Sequence, residues 1–293
     1  MYERAKYKEG VSFDNLPDPI GSVKYDGAHY FMAIDQEGSP RFISRRPSVK
    51  GHFPDRTEKL PHLASTKFPA LAGNVYAVEL IHTGHSTGPD AMESHPAVSG
   101  ILNSLTPRAL ETQRNTGPIR AILLDVKHPS LPTYKDKIEH LKQVEHAFGN
   151  TNLLRVPEFK IGLDQIQKLV QETKSQGREG VIITSLSKPE NENFRIKVKH
   201  LQHYNLKVCG IQQEFDIAGK PKESMGAFLL EDATGRMVGK VGTGFSRELR
   251  LEIWNNQSKW LGSLIQVIAM EPTASQVRSA RYNGLADGDL DTV

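Results

Sequence analysis

The sequence has little cysteine and no long apolar run. Its one cysteine, Cys209, in 293 residues excludes an intramolecular disulfide framework and a cysteine-rich zinc site. No apolar stretch approaches the roughly 20 residues that a membrane-spanning helix needs. The first residues show no apolar segment of the kind found in secretory signal peptides. These features predict a cytoplasmic protein without a membrane partner.

Neither sign of charge is in large excess. The 37 lysines and arginines and the 34 aspartates and glutamates give a net charge of +3. Such a mild surplus allows a polyanionic partner only if the cations cluster on one face. Hydrophobic residues form 38% of the chain and charged residues 24%. This composition is typical of globular proteins, and the length allows one to three domains.

The apolar pattern changes near residue 203. Before it, strand-like segments alternate with amphipathic segments of helical period. Strands are predicted there at 22–34, 41–46, 75–81, 119–126, 179–183 and 194–199. Helices are predicted at 97–115, in two short pieces broken near Pro107, and at 134–148 and 163–176. After it, short strands are predicted at 205–214, 225–231, 236–242 and 263–271, with one helix at 247–256. The second part fits a small β-barrel such as an OB-fold. The predicted class is α+β, with domains at 1–202 and 203–293.

Residues 22–31 form an apolar, aromatic-rich segment that contains Lys24, Asp26 and Gly27. Such a segment predicts a strand beside a tight turn, and glycine allows close approach of a ligand to the backbone. A lysine amine in this place can act as a nucleophile toward phosphorus or a carbonyl carbon. Taken alone, the motif is weak evidence, because a lysine at a surface turn is the more common explanation of such a pattern.

Four further charged residues lie within otherwise apolar strand segments: Glu79, Glu179, Lys197 and Lys199. Buried unpaired charges cost free energy, so these side chains are expected to pair or to line a shared cleft with Lys24. Lys197 and Lys199 are two residues apart and therefore point to the same side of a strand.

The ordered set of motifs resembles the ATP-dependent polynucleotide ligases of the covalent nucleotidyltransferase superfamily. The matching stretches, in chain order, are Lys24-Tyr25-Asp26-Gly27, Ser44-Arg45-Arg46, Val78-Glu79-Leu80, Leu124-Asp125-Val126, Glu179-Gly180-Val181-Ile182 and Ile196-Lys197-Val198-Lys199. Two more stretches are similar to DNA ligases: Val241-Gly242-Thr243-Gly244-Phe245-Ser246 resembles their OB domains, and Pro96-Ala97-Val98-Ser99-Gly100-Ile101-Leu102 resembles small DNA ligases. The resemblance implies a nucleotidyltransferase (adenylation) domain with antiparallel sheets and helices, followed by a C-terminal OB-fold β-barrel.

The resemblance implies that Lys24 attacks the α-phosphorus of ATP and becomes lysyl-AMP, that AMP moves to the 5′-phosphate of a nick, and that the 3′-hydroxyl displaces it. Glu79 and Glu179 are implied to be catalytic. Glu179 is implied to hold Mg²⁺, and Glu79 to touch the sugar of the nucleotide or to help hold the metal. Lys197 and Lys199 are implied to contact the α-phosphate. The implied nucleotide-binding residues are Lys24, Tyr25, Asp26, Gly27, His29, Arg45, Glu79, Leu124, Lys197 and Lys199. The implied DNA-binding residues are Arg45, Arg46 and Lys50. The partner would be nicked duplex DNA, and the protein a monomer.

The sequence departs from the family pattern in three places. His29 stands where the family commonly has arginine, and Leu124 stands where an aromatic ring usually stacks on adenine. Tyr76, Phe31 or Phe194 is a candidate to supply the missing ring. The C-terminal stretch 278–288 lacks the final Arg and Lys of the family motif, which predicts slow self-adenylation.

Three other readings of the sequence stay open. An RNA ligase or a GTP-dependent capping guanylyltransferase has the same lysine motif, and a non-catalytic OB-type nucleic-acid-binding protein is the third. Zinc binding by His82, His85 and His95 is disfavoured, because their spacing is not compact and no cysteine is near. We expect these histidines to lie in a solvated loop.

Overall fold

The computed structural model describes residues 6–7, 16–48, 50–86, 91–128, 130–149, 152–187, 195–216, 218–273 and 276–293. The chain divides into two compact units, Met1–Val198 and Lys199–Val293. The domain boundary predicted at residue 203 stays a prediction. Among the helices in the described part of the chain, none is long and apolar enough to cross a bilayer.

The first unit contains two five-stranded sheets. Its strands are β1 (Lys6–Tyr7), β2 (Pro19–Val23), β3 (Ala28–Ile34), β4 (Pro40–Ser44), β5 (Val75–Ile81), β6 (Arg120–Val126), β7 (Leu154–Arg155), β8 (Lys160–Ile161), β9 (Gly180–Ser185) and β10 (Arg195–Lys199). Its α-helices are α1 (Pro61–Ala64), α2 (His95–Asn103), α3 (Thr106–Thr116), α4 (Tyr134–Ala147) and α5 (Leu163–Ser175). One sheet has the order β1-β10-β9-β2-β8 and the other β4-β3-β5-β6-β7.

The second of these sheets carries the main core of the unit. Strands β3, β4, β5 and β6 pair antiparallel, and β7 pairs parallel with β6. Along β3, buried and half-buried positions alternate, whereas β5 and β6 are buried almost throughout. Such near-continuous burial is expected for central strands covered on both faces. Phe42, Tyr76 and Leu141 of α4 belong to the core formed there.

The other sheet is covered by α5. Ile166 and Leu169 of that helix pack on Val181 and Ile183 of β9. Strand β2 pairs antiparallel with β9, with Ser22 opposite Ile182. This pairing brings the end of β2 beside the start of β9, where two of the predicted motifs lie.

The second unit is a strongly bent antiparallel sheet with two helices. Its elements are β11 (Leu201–Phe215), β12 (Pro221–Glu231), β13 (Met237–Val241), α6 (Arg247–Asn255), α7 (Gln257–Trp260), β14 (Leu264–Thr273) and β15 (Gln276–Leu285). The strand order is β13-β12-β11-β14-β15, and no ladder among the described strands closes the sheet. The edges nevertheless approach each other, because the Tyr282 amide donates to the Thr243 carbonyl at 2.9 Å.

The Gly-Thr-Gly-Phe-Ser stretch of the second unit forms the connection between β13 and α6. Gly244 has φ +92°, and a Cβ there would lie 2.5 Å from the Tyr282 carbonyl oxygen. The Phe245 ring stacks on Tyr282 with centroids 4.4 Å apart. Ser246 caps α6 by accepting from the Leu249 amide at 3.1 Å. The stretch therefore joins strand, helix and opposite sheet edge.

The predicted mixture of helices and antiparallel sheets is confirmed, and several boundaries are corrected. The strand predicted over 22–34 is two strands in different sheets, separated by residues 24–27. Strand β4 ends at Ser44, so Arg45 and Arg46 follow the strand. Strand β15 was not predicted, because its mixed polar sequence has no clean alternation.

Candidate active site

Lys24 lies on the crossover between the two sheets of the first unit. Strand β2 ends at Val23 and β3 begins at Ala28, so residues 24–27 pass from one sheet to the other. The Lys24 amide donates to the Gly180 carbonyl at 2.8 Å, which fixes the crossover to the start of β9. The Lys24 ammonium group forms an ion pair with Glu179. Two residues 155 positions apart in the sequence are thus in direct contact.

Gly27 allows the crossover to pack directly on β5. A Cβ at this position would lie 2.3 Å from the Leu80 carbonyl oxygen and 2.8 Å from Glu79 Cγ. His95, the first residue of α2, has its Nδ1 2.6 Å from the Gly27 carbonyl oxygen, so the ring N–H donates. The His95 amide lies 3.4 Å from an Asp26 carboxylate oxygen. His95 therefore holds Asp26 and Gly27, and with them the crossover that carries Lys24. The sequence did not predict this role for His95.

His29 and Glu79 face each other across β3 and β5, where they are register partners. His29 Nδ1 lies 3.4 Å from a Glu79 carboxylate oxygen. The His29 ring also meets the Phe31 ring edge-on at 5.8 Å between centroids. A histidine in this place pairs with the carboxylate that the sequence assigned to nucleotide binding.

Leu124 owes its position to a β-bulge. Ala77 pairs with Asp125 and Val78 pairs with Leu123, so Leu124 is the additional residue of β6. A bulged residue leaves the ladder and its side chain is re-aimed. Leu124 is the half-buried position within an otherwise buried strand. It lines the pocket beside Lys24.

Tyr134, at the start of α4, supplies an aromatic side chain beside Leu124. Its hydroxyl donates to the Leu124 carbonyl at 2.9 Å, and the Arg195 guanidinium lies 4.7 Å from its ring centroid. Of the three rings predicted to compensate for Leu124, Tyr76 is fully buried and bonds to His140. Phe31 is absent from the pocket lining, and Phe194 lies outside the described residues.

A buried ionic network fixes Arg195. The Asp125 carboxylate accepts from Arg195 at 3.2 Å and lies 3.1 Å from the Lys137 ammonium nitrogen, and all three side chains are nearly inaccessible. Lys137 lies one turn after Tyr134 on α4, so both project from the same helix face. Strands β6 and β10 and helix α4 are thereby held together behind the pocket.

These side chains line one pocket of about 250 Å³, which we call the Lys24 pocket. Its lining is partly apolar and partly charged. The apolar lining is Val23, Tyr25, Leu124, Tyr134, Pro157 and Ile182, and the polar lining is Ser22, Lys24, His29, Arg45, Glu79, Arg195 and Lys197. Burial raises the pKa of Tyr25. The arrangement suits a ligand with a flat apolar part and an anionic part.

Seven of the predicted site residues line the Lys24 pocket. Glu179 is paired with Lys24, and Asp26 and Gly27 lie next to it on the crossover. The three others do not meet here. Arg46 and Lys50 are exposed and are absent from the pocket lining. Lys199 is the first residue of the second unit, and its ammonium nitrogen lies 3.7 Å from the Met270 sulfur. The residues that sequence reasoning missed are Tyr134, Pro157, Arg195 and His95. Each belongs to an element or loop whose proximity depends on tertiary structure.

Arg178, the residue before Glu179, forms a buried ion pair that restricts the position of Glu179. Arg178 Nη1 lies 3.0 Å from a Glu93 carboxylate oxygen, and both side chains are 4% exposed. Arg178 also donates to the Gln176 side chain at 2.9 Å. Because Arg178 precedes Glu179 directly, the pair restricts the backbone that presents the carboxylate to Lys24.

The carboxylates of the site are compatible with magnesium. No group of three or more His, Cys, Asp or Glu side chains gathers as a metal cluster within the described ranges. Mg²⁺ usually binds through one or two carboxylates together with water and substrate phosphates. Glu79 and Glu179 contact His29 and Lys24 respectively and supply such oxygen ligands. The donor chemistry therefore fits.

The expectation of a solvated histidine loop is wrong for His82. Its side chain is buried and its Nε2 lies 3.1 Å from both the Thr116 hydroxyl and the Gly117 carbonyl oxygen. Burial lowers the pKa of His82. His85 bonds to the Asn115 carbonyl, so these rings tie the loop to the end of α3.

The fold of this chain is similar to that of solved DNA ligases. A solved Lig E DNA ligase, described as binding DNA with a minimal scaffold, covers 97% of this chain and 98% of its own, with a TM-score of 0.67 and 17% identity. Two structures named Pmar-Lig_Pre and Pmar-Lig_PreS3 cover 92% of this chain at TM-score 0.65 and 17% and 16% identity, and this chain spans 64% of their length. The chain matches no family model and no curated protein.

Proposed function

We propose that the protein is an ATP-dependent DNA ligase, which seals 5′-phosphate/3′-hydroxyl nicks through lysyl-AMP and an adenylylated DNA 5′ end. The observation that carries this proposal is the Lys24 pocket. Its lining combines a lysine amine, further cations and the Glu79 carboxylate with several apolar side chains, and Glu179 is paired with the lysine. The similarity of the chain's fold to a solved DNA ligase supports the same conclusion.

The first step is nucleophilic substitution at phosphorus. The Lys24 ammonium group first passes a proton to Glu179, with which it is in contact, and Glu179 thereby acts as the base. The neutral amine then donates its lone pair to the α-phosphorus of ATP, a nitrogen–phosphorus bond forms, and pyrophosphate leaves with the electrons of the broken phosphorus–oxygen bond. The second proton on the nitrogen passes to water. Arg45 and Lys197 stabilise the charge on the phosphate, and positioning with charge stabilisation is what phosphoryl transfer requires.

The base of ATP is assigned to the apolar side chains of the pocket lining. Leu124, Tyr134 and Ile182 surround it, and Tyr134 takes the place of the aromatic ring that Leu124 lacks. The paired His29 and Glu79 are assigned to the sugar. A flat base held between apolar and aromatic side chains gains stacking and burial.

Mg²⁺ would be held by Glu79 and Glu179 together with phosphate oxygens. When bound, it supplies Lewis-acid polarisation of the phosphate.

The later steps occur on nicked duplex DNA. AMP passes from Lys24 to the 5′-phosphate, and the 3′-hydroxyl then attacks that phosphate and releases AMP. Arg45 is assigned to the phosphate at the 5′ end, while the exposed Arg46 and Lys50 are assigned to the DNA backbone. Cations of this kind position a protein on DNA without reading sequence.

The remaining assignments follow from the same proposal. The second unit is taken as an OB-fold domain that binds DNA, and residues 1–198 as the adenylation domain. Lys199, the last residue of β10, is assigned to phosphate contact. We propose a monomer that acts in the cytoplasm.

A sealing assay tests this function. Purified protein is incubated with Mg²⁺ and a singly nicked duplex that carries a 5′-phosphate, with ATP or GTP as the nucleotide. Sealing of DNA with ATP is expected, while a nick without 5′-phosphate is the control that remains open. Activity only with GTP would favour a capping enzyme, activity only on RNA an RNA ligase, and inactivity on every substrate a non-catalytic binding protein.

A further inference from the structure

A second pocket of about 460 Å³ lies beside the Lys24 pocket in the first unit. Val23 and Tyr25 line both pockets, so the second pocket, which we call the Arg155 pocket, adjoins the residues on either side of the nucleophile. Helix α5 contributes Leu169 and Thr173 to its wall. None of the functional assignments above uses this space.

The carboxylates that line the Arg155 pocket are neutralised by cations other than Arg120 and Arg155. Glu93 pairs with Arg178 at 3.0 Å. Glu158 pairs with Lys160 at 2.5 Å. Glu172 lies 3.7 Å from Lys168, which is on the outer surface of α5. The acidic side chains therefore leave the charges of the two remaining arginines uncompensated.

Those two arginines are Arg120 and Arg155. Arg120 is 6% exposed, and it donates to two uncharged oxygens, the Thr83 hydroxyl and, at 2.7 Å, the Ser86 carbonyl. The Arg155 guanidinium lies 5.9 Å from the Tyr25 ring centroid, and its buried Nε has no hydrogen-bond partner. Neither arginine makes an ion pair within the part of the chain that the structure describes.

The two guanidinium groups also repel each other. Burial, together with the charge of Arg155, lowers the pKa of Arg120. Burying charge without a counterion costs free energy, and a second like charge adds to that cost. A bound anion would offset both free-energy costs, because guanidinium N–H groups match phosphate oxygens in geometry and charge.

We infer that the Arg155 pocket binds a phosphate-bearing small molecule whose anionic group contacts Arg120 and Arg155. Tyr25 adds a protonated phenol, and Asn152 and Gln176 add uncharged hydrogen-bonding groups to the lining. A volume of this size is usual for small-molecule sites. Because Arg120 is buried within a concavity, a free phosphorylated molecule reaches it better than the backbone of a duplex does. This inference does not rest on the proposed ligase function.

Calorimetric titration with inorganic pyrophosphate, at constant ionic strength, tests the site. The wild-type protein is expected to bind two equivalents, one in each pocket. Arg155→Met is expected to weaken one of them by about tenfold or more, as the loss of a charge-assisted hydrogen bond implies. Arg41→Met is the matched control, since that arginine is exposed and pairs with Asp55 outside both pockets, and it should bind as the wild type does.

Lys197→Met separates this inference from the proposed function. It removes a cation from the Lys24 pocket and should leave the Arg155 pocket intact, so one strong equivalent remains. Unchanged pyrophosphate binding by Arg155→Met would overturn the inference. If that variant also bound nicked duplex more weakly, Arg155 would contact DNA instead.

A crystal soak keeps the inference falsifiable if Arg155→Met does not fold. Wild-type crystals soaked in sodium selenate should show an anomalous peak in contact with both Arg120 and Arg155. A saturated soak with no peak there would overturn the inference, whatever is found in the Lys24 pocket.

Discussion

Replacement of Gly27 by alanine tests how closely the crossover must pack on β5. The new Cβ would lie 2.3 Å from the Leu80 carbonyl oxygen, whereas ordinary contacts begin at 3.4 Å. The obstacle is backbone of a central strand, so the crossover itself must move by about 1 Å. A displacement of about 1 Å from reactive geometry costs about 10²-fold in rate. We therefore expect Gly27→Ala to slow lysyl-AMP formation by about 10²-fold.

Single-turnover formation of the covalent adduct from α-labelled ATP measures this effect. Gly100→Ala is the matched control, because nothing lies within 4 Å of a Cβ at that helical position. Alanine there should leave the rate unchanged and stabilise the helix by up to about 1 kcal/mol. If Gly27→Ala reacts as fast as Gly100→Ala, close packing of the crossover does not position Lys24.

Three further predictions concern the pocket wall, its support and the second unit. Tyr134→Ala should raise the KM for ATP about tenfold, since the ring supplies about 1–3 kcal/mol of stacking. Tyr134→Phe keeps the ring and should keep the KM near that of the wild type. Equal KM values for the two variants in steady-state kinetics would contradict the assigned base site. Arg178→Met leaves Glu93 buried and unpaired, which should lower the free energy of unfolding, measured in urea, by about 3–5 kcal/mol. Adding Glu93→Leu should recover most of that loss. An unchanged free energy of unfolding in the single variant would refute the role of the pair. Hydrogen bonds, of which the one from the Thr234 hydroxyl has the largest effect, lower the pKa of Asp232 to about 2. Its stabilisation should hold above about pH 4 and disappear as pH falls through about 2, so Asp232→Asn should be less stable at neutral pH and equal to wild type below pH 2.

The sequence predicted elements best where local patterns decide them. Strand β5 has the predicted bounds, and α4 agrees to within one residue at its end, because a continuous apolar run and a helical apolar face are local signals. The charged residues within apolar strands also predicted much of the site. Lys24, Glu79 and Lys197 lie where burial of charge required a shared cleft.

The remaining parts of the site depend on long-range contacts. Tyr134 is an apolar-face residue of α4 by its spacing, and only the packing of that helix on β6 brings it to Leu124. The bulge that turns Leu124 into the pocket is a register shift between two strands, which no local pattern indicates. His95 meets Gly27 across 68 positions of sequence. Such contacts follow from topology rather than from propensity.

The covalent role of Lys24 is the central claim, and peptide mapping of the adenylylated protein tests it most directly. Protein incubated with α-labelled ATP and Mg²⁺ is denatured, digested and sequenced by mass spectrometry. The account predicts AMP on the Lys24 side chain, no adduct in Lys24→Ala, and residual sealing of a pre-adenylylated nick by that variant. An adduct on another residue, or an undiminished adduct in Lys24→Ala, would contradict it.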